Sequence, residues 1–444
     1  MSLIYPPPLS KHPAKYIIYK EAGVVYALNG ETGRIDFSGT DAHTVIQSAL
    51  NSLTPNRAWL ERVVIRGDFL INNSVSPLVI PSYTIIQLDG RITAVDKTKT
   101  LVRVDGDNVV LYGGVYDGNR GNEVGGDIPV RVIHLNNVRN VVLQNITVVN
   151  GYSRGIEVSD GFHNTLINIY AENCWRNVMF WSSSYYTPRH HVAVNIRSRY
   201  ARGGSGVDFG TVGGVTVFGV QSEEDDPVSV AIDSSFDIRI YGITSKFRGF
   251  ALIYASYNET KHIVIEGAEA LGAPGATVEV RYDYDISDIT FKDVLITDSW
   301  GNCLEFKRFA GTGVIRNVKI ENLVTLGTAA YKYSVVADSS VQDIYINGKY
   351  VDKPMLVEAV KYVIENVEGF RTKNKGTAII TLTQPGPGSV TVAHYLAGTP
   401  RIVILTPRGN VGSVWCSYRD STNLIISISD GQVGDNYIDW YAEL

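Results

Sequence analysis

Short segments in which apolar and polar residues alternate recur along most of the chain. Four of them lie at residues 215–220 (VTVFGV), 238–243 (IRIYGI), 263–268 (IVIEGA) and 289–294 (ITFKDV), so that their starts are 23, 25 and 26 residues apart. A shorter alternating segment precedes each at a similar step, for example VDF at 207–209 and VEV at 278–280. Alternation indicates strands, and a repeat of this length indicates a solenoid.

The repeat favours one kind of solenoid over another. The LxxLxLxxN pattern of leucine-rich repeats is missing, and no segment of helical period separates the strands. We therefore predict an all-β chain built on a right-handed parallel β-helix, in which each coil stacks its apolar side chains on the next. We expect one coil per about 22 to 29 residues, with Ile238, Ile263 and Ile289 in one interior column.

Both ends of the repeat region change character. Val45, Ile46, Ala49, Leu50 and Leu53 share one helical face, which predicts an N-terminal helical cap that begins at Thr40 or Asp41. Residues 376–444 contain three or four further strands, split by QPGPG at 384–388, and predict a small β-sandwich. We thus expect an attachment segment with its cap at 1–74, a β-helix at 75–370 and a C-terminal module at 371–444.

Composition excludes several classes of protein. With 40 Lys and Arg against 45 Asp and Glu, the net charge of −5 argues against a nucleic-acid binder. No apolar run approaches the roughly 18 to 20 residues of a membrane span. Three distant cysteines form no CxxC pair, so neither a disulfide framework nor a metal site is expected, and no cofactor is indicated. The first ten residues contain three prolines and no basic segment, which argues against a signal peptide.

Acidic residues recur near one phase of the predicted coils. Outward side chains of one sheet stand about 4.8 Å apart on neighbouring coils. We therefore predict one column that contains Glu157, Asp208, Ala231 flanked by Asp233, Glu279 with Arg281, and Glu305 with Lys307. Two carboxylates about 5 to 9 Å apart are what glycoside hydrolysis needs. The candidate catalytic residues are Asp208, Asp225, Asp226, Asp233, Glu279 and Arg281. Two structural alternatives stay open: a solvated turn at 223–226, and a charge ladder in which Glu279 pairs with Arg281 or Lys307.

Aromatic residues follow the first strands of the same coils. Sugar rings pack their C–H faces on aromatic rings while their hydroxyls bond polar groups, so the combination predicts a glycan-binding groove. The alternative for any single tyrosine is stacking within the coil wall. The candidate glycan-binding residues are Glu157, Trp181, Tyr185, Tyr186, Arg248, Tyr254, Tyr257, Tyr282, Glu305 and Lys307.

Residues 80–94 (IPSYTIIQLDGRITA), together with the helix before them and the coil repeats, resemble the pectin-lyase-like superfamily. That superfamily holds polygalacturonases, pectate lyases and many phage tailspikes, and the resemblance covers about residues 38–350. Of four polygalacturonase elements only one is retained, as Asp225-Asp226. The other three positions read Gly203-Gly-Ser205, Arg248-Gly249 and Glu305-Phe-Lys307, so the family's mechanism does not carry over intact. A lyase would need calcium-binding carboxylates and an Arg base. Glu223, Asp225, Asp226 and Arg248 are of the right types, without a diagnostic spacing.

The C-terminal segments 398–407 (GTPRIVILTP), 411–415 (VGSVW) and 439–444 (DWYAEL) resemble modules that end β-helix proteins and tail fibres of archaea and their viruses. The two resemblances imply a virion tailspike or receptor-binding protein, trimeric, that holds host cell-surface glycans with or without cleaving them. It would contact other virion proteins and act outside the cell. Two alternatives stay open: a free polysaccharide hydrolase or lyase, and an inert adhesin of an archaeal cell surface.

Overall fold

The computed structural model describes residues 14–121, 123, 125–185, 187–328, 332–351, 355–365, 367, 373–394, 396, 399–420 and 422–443. Within these residues it contains 36 β-strands and one α-helix. The predicted all-β class is therefore confirmed. Within the described part of the chain, no helix is long and apolar enough to cross a membrane.

A small cap closes the N-terminal end. Strands β1 (Tyr16–Glu21), β2 (Val24–Asn29) and β3 (Ile35–Gly39) pair antiparallel, and helix α1 (Ala42–Asn51) follows. The carboxylate of Asp41 accepts a hydrogen bond from the Thr44 N–H at 3.1 Å, as an N-cap residue does. Val45, Ile46 and Leu50 are buried. The predicted helical cap is confirmed, whereas β1–β3 were not anticipated.

The solenoid occupies the middle of the chain. Its strands are β4 (Glu61–Ile71), β5 (Leu78–Ile80), β6 (Thr84–Ala94), β7 (Val102–Val104), β8 (Val110–Tyr112), β9 (Val115–Asp117), β10 (Arg131–Asn136), β11 (Val142–Val149), β12 (Arg154–Ser159), β13 (Thr165–Glu172), β14 (Arg176–Trp181), β15 (Pro188–Arg199), β16 (Val207–Gly210), β17 (Gly213–Glu223), β18 (Val228–Asp233), β19 (Phe236–Lys246), β20 (Gly249–Ala255), β21 (Thr260–Leu271), β22 (Ala276–Val280), β23 (Ile286–Lys292), β24 (Leu295–Thr297), β25 (Leu304–Arg308), β26 (Ile315–Leu326), β27 (Val335–Ala337), β28 (Asp343–Val351), β29 (Met355–Val357) and β30 (Lys361–Glu365).

These strands form two parallel arrays. Twelve short strands make one sheet, which we call the groove sheet: β5, β7, β10, β12, β14, β16, β18, β20, β22, β25, β27 and β29. The remaining solenoid strands form a long sheet, which also takes in β1 to β3. The predicted right-handed parallel β-helix is confirmed.

The register of the long sheet confirms the predicted interior column. Ile238 pairs with Ile263 and Ile263 with Ile289, and none of the three has measurable exposure. The coil step varies more than predicted, from 18 residues between Asp343 and Lys361 to 32 between Val110 and Val142. Insertions at the corners change the coil length without disturbing the paired strands.

The start of the parallel ladder corrects the expected boundary at residue 75. Strand β4 already pairs in parallel with β6 over its whole length, and β1 pairs in parallel with β4. The segment assigned to the cap therefore contains the first solenoid strand. Its residues were not recognised because β4 combines an apolar run with three consecutive exposed positions near Gly67.

Ladders of asparagine mark one corner where the long strands bend. Asn145, Asn168 and Asn195 have φ of 56°, 52° and 55°, a left-handed conformation that asparagine tolerates better than most residues. The Asn168 side-chain amide donates to Asn145 Oδ1 and that of Asn195 to Asn168 Oδ1, each at 2.9 Å. The repeated bend keeps the outward side chains of successive coils in register.

The C-terminal region forms two three-stranded antiparallel sheets. One contains β31 (Lys373–Leu382), β36 (Gly434–Glu443) and β33 (Ile402–Pro407). The other contains β32 (Gly386–Ala393), β35 (Asn423–Gly431) and β34 (Val414–Arg419). Between them lies an apolar core separate from that of the solenoid, which includes Ile380, Leu424, Ile426, Ile438 and Trp440. The predicted β-sandwich is confirmed, with six strands rather than three or four.

Candidate functional site

Outward side chains of the groove sheet fall into two parallel columns. Column one contains His134, Glu157, Met179, Asp208, Ala231, Leu252, Thr277 and Glu305. Column two, two residues further along each strand, contains Ser159, Trp181, Gly210, Asp233, Tyr254, Glu279 and Lys307. Glu157, Asp208, Ala231 and Glu305 share column one as predicted, with Asp233 beside Ala231 in column two. Glu279 lies in column two rather than column one.

Two small residues create a notch in these columns. Gly210 separates Trp181 from Asp233 in column two, so the Cα atoms of these two residues are two coil steps apart, about 10 Å. A Cβ atom at Gly210 would stand 3.1 Å from Trp181 Cδ1. In column one, Ala231 follows Asp208. We call the space bounded by Trp181, Asp208, Gly210, Ala231 and Asp233 the notch.

Asp208 lies at the floor of the notch. Its side chain is oriented by Arg176, whose Nε lies 3.0 Å from Oδ2, and by the Ser205 hydroxyl, which donates to Oδ2 at 3.1 Å. Burial raises the pKa of Asp208, because a charged carboxylate loses its hydration there, and Arg176 offsets only part of this effect. A carboxyl group held this way is suited to carry a proton at higher pH than an exposed aspartate.

Asp233 forms the opposite wall. Its Oδ1 accepts hydrogen bonds from the Ser234 hydroxyl at 2.8 Å and from the Ser256 N–H at 2.9 Å. Burial raises its pKa, and the charge of Asp208 adds to the increase. The two residues sit on neighbouring strands, offset by two positions, so their Cα atoms are about 8 Å apart. Inverting glycosidases hold their two carboxyl groups at about 6.5 to 9.5 Å, which leaves room for a water molecule.

An aromatic and charged cluster continues column two beyond Asp233. The Arg281 guanidinium lies over the Tyr254 ring, 4.1 Å from its centroid, and donates to Glu279. Burial, followed by the charges of Asp208 and Asp233, raises the pKa of Tyr254. Lys307 contacts Glu279 at 4.0 Å. Glu279 and Arg281 thus form the structural pair that the sequence left open, and they border the notch rather than lie inside it.

Three arginines that the sequence analysis missed cover the N-terminal half of the face. Arg131, Arg154 and Arg176 are in register on successive strands. Glu157 lies 2.5 Å from Arg131 and 3.0 Å from Arg154, while Asp127 contacts Arg154 at 3.1 Å and Arg176 at 2.7 Å. The sequence does contain a signal for this ladder, because in each of the three strands the Arg stands two residues before an interior Ile or Val.

This ladder of arginines explains why Glu157 is ionised although it is buried. Burial by itself would raise the pKa of Glu157, but the hydrogen bond from Arg131 and the charge of Arg154 outweigh it and lower the pKa. Its side chain is only 3% exposed. Glu157 therefore serves as the anchor of the arginine ladder, two coil steps from Asp208.

The structure moves two candidates away from the groove. Asp225 is completely buried, and its carboxylate accepts hydrogen bonds from the Ala201 N–H at 2.8 Å and the Ser222 hydroxyl at 2.7 Å. Its side chain turns inward at a corner, so Asp225 does not share the groove face with Asp208. Tyr185 is also buried and donates to the Glu259 carbonyl at 2.6 Å, so it is a packing residue.

The other candidates lie along the margins of the groove sheet. Asp226 and Arg248 form an exposed ion pair at 3.9 Å just before β18 and β20, away from the notch. Tyr257 and Tyr282 are 68% and 54% exposed, in loops that follow β20 and β22. Tyr186 lies outside the described residues.

Glu305 and Lys307 bind each other at 2.8 Å on β25. Glu305 stands four coil steps from Asp208, about 19 Å. This pair is therefore not part of the notch.

Comparison of the sequence with family models and with curated proteins gives no match. Among solved structures, the Dettilon tailspike protein gp208 aligns with 91% of this chain and 91% of its own, at 12% identity and a TM-score of 0.54. A polygalacturonase from Erwinia carotovora ssp. carotovora covers 81% of this chain and 94% of its own, at 14% identity and a TM-score of 0.45. The chain therefore shares a right-handed parallel β-helix fold with the Dettilon tailspike protein.

Proposed function

We propose that the protein is a tailspike-type receptor-binding protein that attaches a virion to cell-surface saccharides through the notch. The observation that carries this proposal is the arrangement of the Trp181 indole, 36% exposed, opposite the Asp233 carboxylate across the side-chain-free Gly210. A sugar ring placed there packs its C–H face on the indole and offers hydroxyl groups to the carboxylates. The tailspike fold is compatible with this use.

We further propose that the notch cleaves the saccharide it holds. Asp208, the more enclosed carboxyl group, donates a proton to the glycosidic oxygen, and Asp233 removes a proton from an attacking water molecule. The bond between the anomeric carbon and that oxygen breaks as the water oxygen attaches to the carbon, which gives one new reducing end per event. The pKa of Asp208, which burial raises, supports its role as the acid.

The test is incubation with purified envelope polysaccharides of candidate hosts, with new reducing ends and binding measured separately. We expect Asp208→Asn and Asp233→Asn to lower turnover at least about 100-fold while binding persists. Asp226→Asn is the control, since that carboxylate is exposed and outside the notch. Turnover that survives both notch substitutions would refute the catalytic assignment and leave a binding protein.

A separate variant tests the binding role of the notch. Gly210→Leu places a side chain in the gap while its backbone stays in an outward strand position, and we expect it to abolish both binding and cleavage. Thr216→Leu, an outward position on β17 in the long sheet, is the matched control. Binding that is equal in the wild type and in Gly210→Leu would show that saccharides bind elsewhere.

The carboxylate pair equally favours a second function, a free polysaccharide-degrading enzyme. Release of unsaturated products instead of reducing ends alone would identify a lyase. The two functions are separated by the source of the protein: purified virions of an archaeal virus or phage carry it if it is a spike. A gene placed among polysaccharide-catabolism enzymes would favour the enzyme.

We also propose that the protein is a homotrimer that contacts other virion proteins, with the C-terminal sandwich contributing to assembly. Several apolar side chains of its sheets are exposed in the single chain, among them Ile402, Ile404 and Trp415. Sedimentation equilibrium of the full chain gives the subunit number directly. A monomer at micromolar concentration would contradict this proposal without affecting the notch.

A further inference from the structure

A second concave site lies on the groove sheet, nearer the N-terminal cap. It is a recess of about 600 Å³. Its walls come from the segments before β5, β7 and β10 and from outward residues of β7 and β10. The lining residues are Asn73, Val75, Ser76, Pro77, Thr98, Lys99, Thr100, Arg103, Ile128, Pro129, Val130, Arg131, His134 and Asn136.

The charge of this recess differs from that of the molecule. Its lining contains Lys99, Arg103, Arg131 and His134, and no aspartate or glutamate. The chain as a whole has a net charge of −5, and the notch contains two carboxylates. A concave surface that gathers one sign of charge raises the local concentration of the opposite ion. The recess therefore favours an anionic ligand.

Neighbouring carboxylates already neutralise part of this positive charge. Arg103 lies 2.7 Å from Asp105, and Arg131 lies 2.5 Å from Glu157. Two donors remain. Arg131 Nε is buried without a hydrogen-bond partner among the described residues, and Lys99 forms no ion pair within 4.0 Å in the same part of the chain. Lys99 thus supplies the main uncompensated charge.

His134 adds a hydrogen-bonding group rather than a charge. Burial and the adjacent Arg131 lower the pKa of His134 to about 4, so the ring is neutral near pH 7. Its Nε2 lies 3.1 Å from the Ser159 hydroxyl. The apolar side chains of Val75 and Ile128, 96% and 38% exposed, line the same recess and suit the hydrocarbon part of a ligand.

The recess is connected to the notch by the sheet itself. His134, Glu157, Met179 and Asp208 follow one another in column one, so the recess and the floor of the notch are three coil steps apart, about 14 Å. A saccharide that runs along the solenoid axis from the notch therefore reaches the recess within a few sugar units.

We infer that the recess is a subsite for an anionic substituent, a carboxylate, sulfate or phosphate group, of the saccharide whose backbone lies in the notch. This inference rests on the proposed function and narrows its ligand to acidic polysaccharides. Lys99 contacts the anionic oxygens, the charge of Arg131 adds to the attraction, and the neutral His134 and Asn136 complete the polar contacts.

The test compares the wild type with Lys99→Gln and Lys99→Arg by titration calorimetry. The probes are oligosaccharides of equal length that carry uronate, sulfate or phosphate groups, and a neutral homologue. Lys97→Gln is the matched control, because Lys97 lies two residues away, is engaged by Glu123 and does not line the recess. We expect the wild type to prefer at least one anionic series by about tenfold or more. Lys99→Gln removes most of that preference, Lys99→Arg restores it, and Lys97→Gln retains it.

Different outcomes separate this inference from the proposed function. If neutral and anionic oligosaccharides bind equally, and both lose affinity in Gly210→Leu, saccharide binding in the notch is supported and the anionic subsite is refuted. Galacturonate, glucose 6-sulfate and glucose 6-phosphate are too small to span both sites and are tested against glucose at millimolar concentration. If none of the three binds better than glucose, the inference is overturned whatever the notch does.

Discussion

The buried carboxyl group of Asp225 predicts an unusual dependence of stability on pH. Burial raises the pKa of Asp225 from 3.8 to about 6, although the Ser198 and Ser222 hydroxyls and the Ala201 N–H favour its ionised form. In the unfolded chain the group ionises near 3.8, whereas in the folded protein it stays protonated until about pH 6. The folded state therefore holds the extra proton, and this group's contribution to stability falls as the pH rises from about 4 to about 6.

The size of the effect follows from these two pKa values. The full difference corresponds to about 3 kcal/mol of destabilisation above pH 7 relative to strongly acidic pH. Between pH 4.5 and pH 7.5 the contribution changes by about 2 kcal/mol. Glu157 acts in the opposite direction, because its lowered pKa gives stability that is lost as the pH falls through the acidic range.

The assay isolates Asp225 from all other titrating groups by comparing variants. Guanidinium chloride unfolding is followed by circular dichroism at pH 4.5 and at pH 7.5 for the wild type, Asp225→Asn and Asp226→Asn. Asparagine keeps the shape of the side chain but carries no charge at either pH. We expect Asp225→Asn to gain about 2 kcal/mol relative to the wild type on going from pH 4.5 to pH 7.5.

Asp226→Asn is the control because Asp226 is adjacent in sequence but its side chain is 56% exposed. We expect its stability relative to the wild type to change by less than about 0.5 kcal/mol over the same interval. If Asp225→Asn instead becomes relatively less stable at pH 7.5, the Asp225 carboxylate is ionised and stabilising in the folded protein. The reasoning from burial would then be refuted.

Three further substitutions test the packing of the solenoid and the groove sheet. Ile263→Ala should lower the free energy of unfolding by about 2 to 5 kcal/mol in a denaturant titration, because Ile263 is fully buried between Ile238 and Ile289. Glu157→Gln should cost about 3 kcal/mol at pH 7 by the same measurement, because it removes the charge of a buried carboxylate that Arg131 and Arg154, 17% and 15% exposed, share. Tyr185→Phe should cost about 0.5 to 1.5 kcal/mol and increase proteolysis after residue 256, because the loop anchored at Glu259 loses a hydrogen bond.

The interior of the solenoid could be predicted from the sequence because its signal is local. Every interior column repeats an apolar residue at the same phase of a strand, so Ile238, Ile263 and Ile289 were aligned correctly without a structure. The start of the ladder at Glu61 was missed, since β4 follows the cap directly and its alternation is interrupted near Gly67. A local pattern identifies a strand but not the first partner with which it pairs.

The outward face was harder to predict because it depends on register between strands of unequal spacing. Asp208 and Ala231 were aligned correctly, with Asp233 beside them. Glu279 was aligned with this column although it pairs with Tyr254 in the other one. For Asp225, no sequence pattern distinguishes an inward from an outward side chain. Its inward direction depends on the Ala201 and Ser222 groups that meet it at a corner, and nothing in the sequence around Asp225 and Asp226 indicates which one turns inward.

The notch depends on two residues with very small side chains. Gly210 and Ala231 carry no polar or aromatic group, so a search for chemistry-bearing residues passes over them. Yet without Gly210 the Trp181 indole would meet a side chain on the next coil. The step that leads to Gly210 has 29 residues, between Val178 and Val207, and the next has 23, between Val207 and Val230, so the two are unequal in the linear sequence. Small outward residues beside an aromatic residue and a carboxylate therefore indicate a candidate binding site as much as charged residues do, once the register of a solenoid is known.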